Sequence, residues 1–410
     1  MHATRFFVLT NLITLSLLPS VTDAVDPVQD AYIKASNPGG VVSASNSGDG
    51  FGLSLAISGN TLVVGAAFED SSATGVNGSE SNNSEIDSGA AYVFVRTALG
   101  WQQQAYLKAS NTGSEDGFGG SVSISGDTIV VGASSEDSSA TGVNGTQSNN
   151  TANDSGAAYV FVRSGTTWTQ QAYLKASNTD EGDRFGGTVA IDSDTIVVGA
   201  INEQSASTGV NGTQSDDTAD DAGAAYVFVR NGTTWSQQAY LKASNAEEGD
   251  GFGFVDICGN TIIAGAPTED SAAAVVDGDE DDNTRDVSGA AYVFTRSGTT
   301  WSQQAYLKAF NPGFDHGFGS EVAVSGNTAV ISAPFEQSDS RVINSGQNDT
   351  SLIAAGAVYV FVRNGTTWSQ QAYLKPWNTN FFTDPGFDTF GFGIDIQGDT
   401  VIVGAPGESS

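Results

Sequence analysis

The chain repeats itself. The dipeptide Phe-Gly recurs at Phe51, Phe118, Phe185, Phe252, Phe318 and Phe390, at spacings of 67, 67, 67, 66 and 72 residues. The segment AYLKASN returns, with small changes, at Tyr32, Tyr106, Tyr173, Tyr240, Tyr306 and Tyr373. A period near 67 is too long for one hairpin or one helix pair, so each unit must hold several elements.

Residues 118–178 show what those elements are. FGGSVSI alternates small residues with Val122 and Ile124, and Gly126-Asp127 makes a tight turn. TIVVGA is a short β-branched run that reads as a buried strand. About twenty polar residues follow, then GAAYVFVR, a strand with Tyr159 and Phe161 on one face. A second tight turn at Gly165 leads to WTQQAYLKA, whose alternation predicts Trp168, Ala172 and Leu174 on a common face. Four antiparallel strands per unit, repeated around a ring, is the pattern of a β-propeller blade.

Phe-Gly opening the first strand, with Gly-Ala or Gly-Ala-Pro closing the second, resembles the FG-GAP repeat of integrin α-subunit propellers and their microbial relatives. Here the second half reads Gly65-Ala66, Gly132-Ala133, Gly199-Ala200, Gly265-Ala266-Pro267, Ala333-Pro334 and Gly404-Ala405-Pro406. The phenylalanine reads as a plug between blades and the glycine as a point of close backbone approach, so these residues are architecture. The expected fold is all-β, a propeller of about six four-stranded blades with repeats starting near 51, 118, 185, 252, 318 and 390. The sixth unit stops after its second strand. AYIKASN (31–37) matches a fourth strand and could close the ring, leaving a third strand missing. The resemblance implies seven blades, so a truncated seven-bladed propeller is the expectation.

Residues 1–24 read as a signal peptide: Arg5, then an apolar run from Phe6 to Leu18, then Thr22-Asp23-Ala24. The propeller then occupies 25–410, and the expected location is extracellular, secreted or at the cell surface. The chain carries 47 acidic and 15 basic residues, a net charge of −32 that repels nucleic acid and anionic lipid and attracts cations or basic partners. Cys258 is the one cysteine, placed in a turn, so no intramolecular disulfide forms. With His316 the one histidine outside the leader, Ser-His-Asp or Cys-His catalysis and His-ligated zinc have no residues to use.

The turns between strands one and two, and three and four, are short and share one face. The connections between strands two and three, and four and one, are long, polar and acidic and share the other, where binding is expected. Glu69-Asp70, Glu136-Asp137 and Glu269-Asp270 follow the second strand, with Glu203, Glu336 and Glu408 at matching single positions. An aspartate precedes each Phe-Gly: Asp49, Asp116, Asp183, Asp250, Asp315 and Asp388. Both sets are expected on one rim as a ring of carboxylates that binds a protein or glycan. One reading makes that ring a calcium-organised face; the other makes each aspartate a turn cap. The Asp-x-Asp-x-Asp-Gly loop of calcium-binding integrin repeats is absent from the two-residue turns. Asp277-Gly-Asp279-Glu-Asp281-Asp282 lacks the glycine and the glutamate of an EF-type loop.

Nine Asn-x-Ser/Thr sequons occur, at Asn77, Asn82, Asn144, Asn149, Asn153, Asn211, Asn231, Asn348 and Asn364, and are glycosylation sites if the host is eukaryotic. The expectation is a binding or adhesion scaffold, not an enzyme. The alternative is a glycosidase-like propeller working with a carboxylate pair.

Overall fold

A computed structural model of the chain describes residues 5–9, 31–37, 48–378 and 389–407. It is an all-β propeller. Five sheets each contain four antiparallel strands in sequential order, over 51–107, 121–174, 185–241, 254–307 and 322–374. The first strands pack on one another in succession and line the centre.

The second strands of the first four blades, such as Thr128–Ala133, are buried at every residue, and that of the fifth at every residue but Thr328. They are paired on both edges and covered on both faces, which is why a continuous β-branched run appears there. The third strands alternate. Tyr159 and Phe161 face the preceding blade, with Phe118, while Ala158 and Val160 face the next. Phe118 meets Tyr159 edge-on at 5.3 Å and Phe161 at 6.1 Å, so the Phe-Gly phenylalanine is an aromatic plug. The glycine of the Gly-Ala motif is a close contact with the next Phe-Gly: a Cβ on Gly132 would lie 2.0 Å from the Gly186 carbonyl oxygen of the next blade.

The fourth strands correct one sequence reading. In blade 2, Tyr159 pairs with Tyr173 and Val160 with Ala172, but Phe161 pairs with Gln170, so Gln171 is a bulge. One extra residue reverses the alternation. Trp168 therefore faces the preceding blade with Tyr173, while Ala172 and Leu174 face the following one. The bulge recurs in all five blades. It turns a glutamine toward the next blade: Gln104 Oε1 accepts the Trp168 indole N–H (2.9 Å) and Arg163 Nη1 (3.3 Å).

Cys258 also moves, from a turn to the end of the inner strand Phe254–Cys258. Its position accepts a turn N–H from the next blade. Gly126 donates to Ser58 Oγ, Ser193 to Ser125 Oγ, Gly259 to Asp192 Oδ2 and Gly326 to Cys258 Sγ.

The sixth sheet has the two expected strands, Gly393–Gln397 and Thr400–Gly404, with Arg5–Leu9 of the expected leader running parallel to the latter. Residues 31–37 lie on blade 1 where a preceding fourth strand would. Ile33 and Ala35 join its core, and Asn37 Nδ2 donates to Glu69.

Candidate functional site

The long-loop face rests on a polar network whose central Lys–Glu pair is repeated in all five complete blades. In blade 2, Glu136 follows the second strand and Lys175 follows the fourth, so the end of the sheet brings them together at 3.1 Å with both side chains essentially unexposed. Lys175 also donates to Ser155 Oγ (2.8 Å), and Tyr173 OH donates to Glu136 Oε1 (2.9 Å). Asn111, at the end of the preceding blade's fourth strand, donates to the same Oε1 (2.7 Å) and accepts from Tyr159 OH (2.7 Å). Burial pulls the Lys175 ammonium below its ordinary range while Glu136 holds it up. Lys108–Glu69, Lys242–Glu203, Lys308–Glu269 and Lys375–Glu336 repeat the pair at 2.8–3.0 Å.

This overturns the expected role of Glu69, Glu136 and Glu269 as an exposed rim. They lie inside, neutralised by lysines of the AYLK motif that the sequence reading passed over. The signal was available, because a lysine recurring between a buried strand and a small residue needs an internal counter-charge.

The aspartates are turn caps. Asp70, Asp137 and Asp270 accept the N–H of Asp87, Asp154 and Val287 at 2.7–3.0 Å, and each of those residues has φ between 52° and 56°. Asp116, Asp183 and Asp250 accept the N–H three residues upstream, from Gly113, Asp180 and Glu247. Burial pushes their carboxyls up to about 7, 8 and 7. Asp49 is raised to about 6 by burial, then by Glu69 and Asp70. Asp315 does not belong to this series. It is exposed at φ 58°, matching Glu115, and His316 takes the buried aspartate position. Asp388 and Glu408 lie outside the described residues.

The backbone N–H donors aimed at these carboxylates give each a turn-capping role. Among the described residues no three His, Cys, Asp or Glu side chains are grouped to hold a metal. Asp277 accepts the Tyr306 N–H at 2.9 Å, as Asn144 accepts that of Tyr173. All nine sequon asparagines are exposed.

What remains open to solvent is the loop surface above the network. Between the long loops of blades 2 and 3 lies a polar cleft of about 620 Å³, lined by Thr141, Asn178, Thr179, Asp180, Gln214 and Asp217. Burial, then the charges of Asp217 and Glu203, raise the Asp180 carboxyl.

The FG-GAP repeat family model matches residues 42–94, 101–161, 168–228, 235–294 and 301–361. The chain belongs to the FG-GAP repeat family. No curated protein matches it in sequence. Among solved structures, Sqt1 of Saccharomyces cerevisiae is similar at 9% identity and a TM-score of 0.41, over 82% of this chain and 64% of that one. The N-terminal domain of Nup159 is similar at 9% identity and a TM-score of 0.32, over 85% and 71%. In this FG-GAP propeller the motif residues are spacers and plugs between blades, and the glutamate that follows the second strand in each of the five complete blades is internal.

Proposed function

We propose that this FG-GAP propeller is an exported binding scaffold, secreted or held at the cell surface, that engages a protein or glycan through its long-loop face and catalyses no reaction. The observation that carries the reading is the asymmetry of the two faces. One carries two-residue turns. The other carries five long loops, each anchored at its base by a buried Lys–Glu pair, so that the loops present preorganised polar surface. The hydroxyl, amide and carboxylate groups lining the cleft between blades 2 and 3 suit a hydrogen-bonding ligand such as a glycan or a polar protein segment.

The test is binding of the labelled chain to an immobilised array of glycans and extracellular proteins. Thr141→Arg with Asp217→Arg, both lining the cleft, should abolish the signal, and Thr166→Arg on the turn face should leave it intact. No binding by the parent chain, or equal loss from both variants, would sink the reading.

A second reading has one observation in its favour. Asp180 is raised by burial and shares the cleft with Asp217, and glycoside hydrolysis uses two carboxyls in unlike environments. Sugar release from a glycan panel, lost in Asp180→Asn, would make the chain an enzyme.

A further inference from the structure

The junction between the long loop of blade 4 and the connection into blade 5 departs from its counterparts at three positions. At the junction of blades 1 and 2, Glu85 accepts from Ser114 Oγ at 2.8 Å. The same two positions at the junction of blades 4 and 5 hold Arg285 and Phe314, and the guanidinium stacks over the ring at 5.0 Å. Blades 2 and 3 place Ala152 and Ala219 where Arg285 stands. Among the described residues no acceptor meets this guanidinium: its Nε is buried without a partner, and the exposed Asp286 and Asp315 form no ion pair with it. The third change is His316, 5% exposed, in place of the capping aspartate. Its imidazole takes the room a Cβ would need at Gly313, and its Nδ1 also lacks a partner. Burial holds the imidazole below its ordinary range, and the Arg285 charge is near enough to act on it, so it is neutral at neutral pH. Around them the surface is apolar: Phe314 is 51% exposed, and Phe335, whose ring lies against Gly317, is 41% exposed.

We infer that this junction binds a carboxylate carried beside an apolar group. A guanidinium takes both oxygens of a carboxylate through two parallel N–H donors, and one stacked on a ring is already held in position to do so. The exposed rings of Phe314 and Phe335 then cover the apolar group. A neutral sugar fits less well, because its hydroxyls need several polar partners and these rings supply none. A polyanion is repelled by a chain of net charge −32, so the ligand carries a single carboxylate. The end of a partner's chain with a large apolar last side chain has this chemistry, and so does a free small acid. The inference rests on the long-loop face being the binding face, at a place separate from the cleft between blades 2 and 3.

The probe is a fluorescent hexapeptide ending in Leu-Phe with a free carboxyl terminus, titrated by anisotropy against the full chain beside the same peptide as its terminal amide. Saturable binding is expected for the acid, with the amide weaker by about tenfold or more. Arg285→Ala and Phe314→Ser install residues that other repeats already hold at these positions, so both variants should fold. Each should weaken binding of the acid by about tenfold or more. Thr141→Arg with Asp217→Arg should leave the affinity within about twofold, which separates this site from the cleft. Displacement by acetyl-phenylalanine shows that a small acid suffices, and no displacement shows that the site takes a chain end; either outcome supports the carboxylate. Array binding that fails while the acid still binds would sink the reading of the cleft and leave this site standing. No saturable binding of the acid, equal affinity of acid and amide, unchanged affinity in Arg285→Ala, or loss of the acid in the cleft variant would each overturn the inference.

Discussion

Replacing Lys175 by Met tests whether the buried pairs hold the loop face together. The ammonium lies 3.1 Å from Glu136 Oε2, and neither side chain has more than 1% of its surface exposed. Methionine fills much the same volume but leaves a carboxylate with no counter-charge, facing only the Tyr173 hydroxyl and the Asn111 amide. Breaking one side of a buried ion pair costs about 3–5 kcal/mol. Against a typical total of about 5–15 kcal/mol, that is a large share of the fold's stability. The pair itself contributes little net, because desolvation offsets most of the attraction. Lys175→Met with Glu136→Gln removes both charges, and the amide oxygen can still accept from Asn111 and Tyr173. The double variant should therefore return to within about 2 kcal/mol of the parent. Urea titration followed by tryptophan fluorescence gives the two differences, and hydrogen exchange over 136–156 shows whether the loop base opens first. A single variant within about 0.5 kcal/mol of the parent, or a double variant less stable than the single, would refute the argument.

Gly132→Ala places a methyl 2.0 Å from the Gly186 carbonyl oxygen of the next blade and should cost about 3 kcal/mol in urea unfolding. Gly126→Ala meets open space and carries only the strain of φ 58°, about 1 kcal/mol. The Asp116, Asp183 and Asp250 carboxyls are pushed up to about 7, 8 and 7, above the ~3.9 of an unfolded aspartate. The folded chain therefore holds more protons than the unfolded one between about pH 4 and 8. This stability is fully present at low pH and is lost as pH rises through 7–8; replacing all three by Asn should flatten Tm against pH over that range. Leu55→Ser and Ile57→Ser should change stability by less than about 1 kcal/mol, and Val122→Ser and Ile124→Ser by about 2–3 kcal/mol each, since only the second pair is covered by a neighbouring blade. Melting with calcium and with chelator should give the same midpoint within about 1 °C, because folded-state binding would raise it; a larger rise would show a cation site that the caps do not explain.

The blade pattern was legible because strand chemistry in a repeat is local. The β-branched run of the second strand, the Tyr-x-Phe of the third and the glycine turns each declare themselves within a few residues. Trp168 was misplaced because a bulge cannot be seen in alternation, only in pairing. The Gln-Gln before each Ala-Tyr-Leu was its one mark: the first glutamine pairs across the sheet and the second turns out to the next blade. Asp315 falls out of the aspartate series because the fifth repeat has one more residue between aspartate and phenylalanine than the others. Hydrogen bonding resolves the register. Asp315 N–H reaches the Asp286 carbonyl as Glu115 N–H reaches that of Ile86, so the next residue, His316, holds the position of Asp116.

The misassigned acidic rim has a general cause. A residue that recurs in every blade does what every blade requires, which is to close its own sheet and grip the next. Glu136 and Asp137 recur because Lys175, Asn111 and a left-handed corner recur with them. A net charge of −32 makes any acid look like surface, yet the periodic acids are the ones with internal partners. A ligand that binds once per molecule must instead be read by residues that break the period. Asp180 is such a residue: the other complete repeats place Asn46, Gly113, Glu247 or Gly313 there, and Asp180 lines the polar cleft between blades 2 and 3.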